Sequence, residues 1–199
     1  FRSEKAKRDC LVKEVLTNRN NQLIPDLDLI KKEYGSVRTI IKNALIVTGY
    51  RVYDGAIDDI AMKLLVACIR MRYGHYINRK SGVQQYNEKV KSVANTISSE
   101  LEIKYGIKMD KDEYDHVYIQ LISKGLFGEN DIQQIPENLF LLISDCLKAI
   151  DMQFGTKFYT DINLAVSLCL HMVPLLYRMK YNSLSSNPLI EDIKKKYIY

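Results

Sequence analysis

The sequence lacks the short motifs that mark most enzyme active sites. It contains no glycine-rich phosphate loop and no G-x-S-x-G sequence, and its three histidines lie far apart in the chain. Such dispersed histidines do not form a metal-ligand pattern. We therefore expect neither an enzyme nor a bound metal or cofactor.

Cysteine is scarce and widely spaced. The four cysteines form no C-x-x-C pair, and three of them lie within apolar helical segments, where a free thiol behaves as a small hydrophobic group. This usage is typical of a reducing compartment, so we predict a cytoplasmic protein. The cysteines are Cys10, Cys68, Cys146 and Cys169.

Long apolar runs are also missing, which predicts that no segment spans a membrane. The first residues are rich in charge, so a secretory signal peptide is not expected. The chain begins with Phe1 rather than Met, and we expect it to be part of a longer protein. The net charge of +5 is concentrated toward the two ends. Solvated helix faces explain this charge most simply, and direct nucleic-acid binding through the basic ends stays open as a hypothesis.

Strand patterns are nearly absent, whereas apolar residues recur every three or four positions. This spacing predicts an all-α protein with an entry helix and linker over residues 1–21. It predicts a first helical module over 22–125 and a second, truncated one over 126–199. Gly35 is expected to end the first of five helices in the first module. These helices are predicted at 23–34, 36–48, 56–73, 83–105 and 110–124. Gly106 is expected to end the fourth helix, and Asp110 with Glu113 to form a capping box at the start of the fifth. After a second linker at 125–130, helices are predicted up to residue 153, where Gly155 breaks the pattern, at about 161–181, and after Asn187-Pro188.

One four-residue sequence occurs twice, almost unchanged. Residues 70–73 read Arg-Met-Arg-Tyr, and residues 178–181, at an offset of 108 residues, read Arg-Met-Lys-Tyr. Each copy ends an amphipathic helical pattern. A polar residue stands seven positions before the arginine on an otherwise apolar stripe, Lys63 in the first copy and His171 in the second. The pattern predicts two copies of one helical module.

His171 shares its helix face with Leu164, Leu168, Leu175 and Arg178, because their spacings are four and three residues. We expect this stripe to be buried against its own bundle or a partner module. A histidine there is either a core imidazole hydrogen-bonded to a neighbour or a modifiable group at an interface. Phosphorylation would add up to about two negative charges, which an arginine such as Arg178 could balance.

Three stretches resemble the phosphotransferase-system regulation domain, PRD. This five-helix module usually occurs in tandem in BglG-type antiterminators and in LicR/MtlR-type or Mga/AtxA-like transcription regulators. Residues 171–178 resemble the family's helix in which a histidine precedes an arginine by seven positions. Residues 187–194, Asn-Pro-Leu-Ile-Glu-Asp-Ile-Lys, resemble its Asn-Pro-Leu-Leu-Glu-Glu-Ile-Lys motif, and residues 107–123 resemble the end of a module. The resemblance covers nearly the whole chain from about Leu23.

The resemblance implies that His171, supported by Arg178, is phosphorylated. The donors would be the histidine-containing phosphocarrier protein and sugar-specific transporter components. It also implies a homodimer whose packing changes on phosphorylation. Nucleic acid would be bound only through a domain absent from this chain, and no membrane would be involved. The alternative is a non-phosphorylated dimerisation scaffold of a virulence-type transcriptional regulator.

The first module departs from the family pattern at both of its acceptor positions. Lys63, with Arg70 seven residues later, replaces one histidine and Gln120 replaces the other. Neither side chain is expected to accept a phosphate, so these positions are degenerate. His75 and His116 match no family position, and we expect both to be structural or surface residues, with a role as substitute acceptors left open.

Overall fold

A computed structural model describes residues 3–17, 27–50, 54–78, 82–125 and 135–183 of the 199-residue chain. These residues are all-α, as predicted, with seven α-helices, one short 3-10 turn and no strand. The helix predicted after Asn187-Pro188 and most of both predicted linkers lie outside the described residues. The helices are α1 Glu4–Thr17, α2 Leu27–Val47, α3 Asp54–Arg72, α4 Glu88–Tyr105, α5 Lys111–Ile122, α6 Glu137–Phe154 and α7 Ile162–Tyr181.

The predicted helix break at Gly35 is wrong, because α2 runs without interruption through this residue. A glycine inside a helix costs about 1 kcal/mol relative to alanine. Ile30, Val37 and Ile41, on both sides of Gly35, are buried in the main core. Burial of each such side chain contributes about 1.5–3 kcal/mol, so packing outweighs the local preference. The described part of 22–125 therefore holds four helices, and α1 packs on them as a fifth.

The main core is built around α3, which packs against α1, α2, α4 and α5. Most of its residues from Ala56 to Met71 are buried, including the polar Lys63. The predicted caps of the neighbouring helices are confirmed at two positions. The Asp110 carboxylate accepts from the Glu113 backbone N–H at the start of α5, and Gly106 ends α4 in the left-handed conformation.

Helices α6 and α7 form a hairpin with a small core of its own, in which Leu139, Cys169 and Val173 are buried. The loop between them is held by the Asp151 carboxylate, which accepts hydrogen bonds from the Thr156 hydroxyl and two backbone N–H groups. Many large apolar side chains of this hairpin stay exposed to solvent. They include Leu141, Leu142, Met152, Phe154, Phe158, Tyr159, Ile162 and Met179.

Helix α7 is long and apolar enough to cross a membrane by length and composition alone. Its last turn, however, lies against the main core. Tyr177 and Tyr181 pack on that core, and the Arg178 guanidinium donates to the Ser123 carbonyl at 3.2 Å. Because these contacts join α7 to α5, we interpret α7 as a helix of the bundle.

Candidate functional site

His171 lies on the exposed side of α7, and its imidazole is open to solvent. The other apolar members of its stripe, Leu164, Leu168 and Leu175, are only half-buried. The expected burial of this stripe is therefore met only in part. Helix α7 continues through Pro174, which cannot donate the backbone hydrogen bond that would otherwise reach the Leu170 carbonyl.

The equivalent position in the first module is enclosed. Lys63 is only 8% exposed, and its ammonium group lies 2.9 Å from the Asp59 carboxylate one turn earlier on α3. Lys124, which follows α5, approaches the same carboxylate oxygen at 2.7 Å. Burial acts to raise the pKa of Asp59, but the two ammonium groups hold it below its ordinary value. Burial lowers the pKa of Lys63, and attraction to Asp59 opposes that shift.

Gln120, which the resemblance predicts to be the second degenerate acceptor position, is buried on α5 one turn before Lys124. Its side-chain oxygen has no hydrogen-bond partner among the described residues. An unsatisfied buried carbonyl of this kind costs about 1–3 kcal/mol. Lys63 and Gln120 are therefore both interior residues of the first bundle, which another protein could not reach.

The two predicted modules differ because α1 packs on the first one. Helix α1 packs on α3, and Glu4 accepts two hydrogen bonds of 2.8 Å from the guanidinium of Arg70. Arg70 occupies the position in the first copy of the repeated sequence that Arg178 occupies in the second. The arginine expected to support a phosphate is thus bound to a carboxylate in the first module, whereas Arg178 binds a neutral carbonyl.

A buried ion pair fixes α1 to α5. The guanidinium of Arg8 donates to both carboxylate oxygens of Glu113 at 2.7 Å, and the Ile77 backbone N–H donates to Glu113 at 2.7 Å. The sequence suggested a capping box in which Glu113 returns to the backbone N–H of Asp110. That half of the prediction is wrong, because Arg8 and Ile77 occupy both oxygens of Glu113.

Comparison with known proteins agrees with the resemblance. Residues 144–199 match the family model of the PRD domain. The chain is also similar to the "Probable licABCH operon regulator" of Bacillus subtilis (strain 168), with 24% identity over 201 residues, which cover 96% of this chain. The chain spans 31% of that relative's length.

His116 is a buried residue of α5, next to the helix surface that receives α1. Burial, reinforced by the positive charges of Arg8, Lys5 and Lys63, lowers its pKa to about 3, so the imidazole is neutral at physiological pH. It lines a cavity of about 510 Å³ between α1, the segment 76–78, α5 and the end of α7. His116 is thus a structural residue, one of the two roles expected for it.

His75 lies on the surface, directly after the glycine that follows α3. Its imidazole is exposed, and its backbone carbonyl accepts a hydrogen bond of 2.8 Å from the Arg8 guanidinium. The backbone of His75 therefore takes part in holding α1, while its side chain is the second exposed imidazole of the described chain.

The repeated four-residue sequence, which predicted two copies of one helical module, packs differently in its two copies. In the first copy Met71 is 3% exposed and Tyr73 is 63% exposed. In the second copy Met179 is 70% exposed and Tyr181 is 8% exposed. The same residue types therefore face opposite environments, because α7 presents the other side of its last turn to the main core.

Proposed function

We propose that this chain is the regulatory region of a cytoplasmic transcription regulator or antiterminator, controlled by the phosphotransferase system through phosphorylation of His171. The observation that carries the proposal is the exposed imidazole of His171 within the PRD match, seven residues before Arg178. The relative's name, an operon regulator, supports the same class. Nucleic acid would be bound by a domain outside this chain.

In this proposal the chain is the substrate of a phosphoryl transfer, not its catalyst. A neutral nitrogen of His171 attacks the phosphorus of the donor's phosphohistidine. The new N–P bond forms as the donor's N–P bond breaks, and the donor imidazole recovers the electron pair. The donors are the histidine-containing phosphocarrier protein and sugar-specific transporter components.

A phosphate on His171 would attract the guanidinium of Arg178. Seven residues correspond to about 10.5 Å along a helix, and helical side chains lean toward the N-terminus, so Arg178 leans toward His171. A hydrogen bond from arginine to phosphate is roughly twice as strong as one to a neutral carbonyl. Phosphorylation would therefore draw Arg178 away from the Ser123 carbonyl and weaken the contact between α7 and α5.

The exposed apolar residues of the α6–α7 hairpin offer a surface for packing against a second copy of the chain. A doubly charged phosphate beside this surface would disfavour a close contact, because charge is costly to desolvate. The regulatory change would then be a shift of population between two dimer packings.

The test is to incubate the chain with phosphoenolpyruvate and the general phosphotransferase proteins and to measure label by mass spectrometry. We expect label on the wild type and on His75→Ala, which removes the other exposed imidazole, and none on His171→Ala. Absence of label from the wild type, or undiminished label on His171→Ala, rejects the proposed acceptor. Light scattering before and after labelling measures the change in dimer packing or dissociation.

The burial of Lys63 and Gln120 favours a second candidate, a dimerisation scaffold that is never phosphorylated. A scaffold would keep its oligomeric state in Lys63→Gln and in His171→Asp, which mimics part of the phosphate charge. A changed dimer dissociation constant in His171→Asp would count against the scaffold.

A further inference from the structure

The first two turns of α1 bind three other helices through charged side chains. Glu4 binds Arg70 of α3, and Arg8 binds Glu113 of α5. Between them in sequence, the ammonium group of Lys5 donates to two carbonyls at the end of α7. Helix α1 is thus attached both to the first bundle and to the helix that carries His171.

The geometry at the end of α7 explains why a lysine binds there. Asn182 ends the helix in the left-handed conformation, and the Ser183 N–H donates to the Arg178 carbonyl at 2.9 Å. This turn leaves the carbonyls of Tyr181 and Asn182 without helical partners. Lys5 lies 2.6 Å from the Tyr181 carbonyl and 2.9 Å from the Asn182 carbonyl. Its positive charge suits the negative end of the helix dipole.

The last turn of α7 is held by three contacts that face different helices. Tyr181 is buried in the main core, and Arg178 donates to the carbonyl that follows α5. Lys5 ties the same turn to α1. The turn cannot move away from α5 unless the hydrogen bonds of Lys5 break or α1 moves with it.

We propose that Lys5 is a coupling residue that makes the docking of α1 depend on the position of the last turn of α7. When this turn shifts, the first turns of α1 lose one of their three attachments and open more often from the bundle. The coupling is reciprocal, so loosening α1 also loosens the end of α7. The inference does not depend on phosphorylation, because any event that moves the end of α7 would act through Lys5.

Hydrogen exchange measured by mass spectrometry on the full chain tests the coupling. We expect Lys5→Met to speed exchange about fivefold to thirtyfold in both α1 and the segment 178–183, since charge-assisted hydrogen bonds are lost at both. Exchange in α4 serves as the internal reference for intact folding. Lys7→Met, which changes an exposed lysine on the same helix, should leave all three regions unchanged. Lys5→Arg should restore the protection because it keeps a positively charged donor.

A double-mutant cycle separates coupling from simple destabilisation. Glu4→Gln weakens the hold of α1 on α3 without touching α7. If Lys5 couples the helices, Glu4→Gln speeds exchange in 178–183 severalfold, and it adds nothing there once Lys5→Met is present. An equal effect of Glu4→Gln in both backgrounds overturns the proposal. So does a Lys5→Met variant in which α1 loosens and 178–183 does not.

Discussion

The neutral, buried imidazole of His116 should make the stability of this protein depend on acid. Its pKa is about 3 in the folded chain and returns to about 6.5 on unfolding. Below pH 6.5 the unfolded chain binds a proton that the folded chain does not, so acid favours unfolding. Arg8 and Lys5 on α1 and Lys63 on α3 act in the same direction, because their positive charges oppose a charged imidazole.

These two pKa values set the size of the effect. On unfolding, His116 takes up only a fraction of a proton above about pH 6.5 and nearly a whole proton as the pH approaches about 5. Uptake of one whole proton lowers the free energy of unfolding by about 1.36 kcal/mol for each pH unit of acidification. The free energy of unfolding should therefore fall by about 2 kcal/mol from this residue. The stabilisation that neutral His116 contributes is complete above its pKa in the unfolded chain. It is lost progressively as the pH falls toward its pKa in the folded chain.

Urea unfolding followed by far-ultraviolet circular dichroism at the two pH values measures this loss. We expect the wild type to lose about 2 kcal/mol more than His116→Gln, which cannot titrate in this range. His75→Gln, at an exposed position, is the matched control and should keep the wild-type pH dependence. An identical pH dependence in the wild type and His116→Gln would refute the linkage to His116.

Three further predictions follow from packing, backbone conformation and thiol exposure. Glu113→Gln should lower the free energy of unfolding by about 1.5–3 kcal/mol in a urea titration, because Arg8 loses its buried carboxylate partner and keeps only the 3.3 Å contact with Glu4 as a counter-charge. Gly35→Ala should raise the melting temperature, since this residue is helical with open space around it, and Gly106→Ala should lower it by straining a left-handed turn at a cost of about 1–2 kcal/mol. Cys146 is exposed and should react rapidly with a disulfide reagent in the native state, whereas Cys68 is buried, with its pKa raised to about 12, and should react only on unfolding.

An exposed glutamate supplies the control for the buried ion pair, and the two glycine variants serve as controls for each other. Glu100→Gln, at an exposed position of α4, should change stability by less than about 0.5 kcal/mol. A stability loss as large as that of Glu113→Gln would contradict the assigned role of the buried pair. Equal shifts of the melting temperature for the two glycine variants would contradict the backbone argument.

Local signals predicted the helix ends well. Asp110 marked the start of α5, and the glycines Gly106 and Gly155 marked the ends of α4 and α6. These signals act within a few residues, so the sequence carries them directly. Gly35 failed as a stop because burial of distant neighbours decides whether a helix tolerates a glycine.

The long-range contacts of α1 could not be predicted. Arg8 and Glu113 are separated by 105 positions, and Lys5 and Tyr181 by 176. Charged residues at the start of a chain normally read as a solvated face, and nothing local distinguishes those that dock. The same limit applies to the candidate site. Lys63 and His171 occupy similar stripes, yet one is buried and the other exposed, because α1 covers only the first.

The buried pairing of Asp59 with two lysines has a consequence for attempts to re-engineer the first module. Changing Lys63 to histidine would supply the residue type that the resemblance leads one to expect there, without making it accessible to a donor protein. The new imidazole would still lie beneath α1, beside a carboxylate already neutralised by Lys124. A variant designed to accept phosphate at position 63 must also detach α1 from the bundle, for example by replacing Arg8, which binds Glu113 of α5. Substitution at position 63 alone is therefore not expected to make the first bundle a phosphate acceptor while α1 covers it.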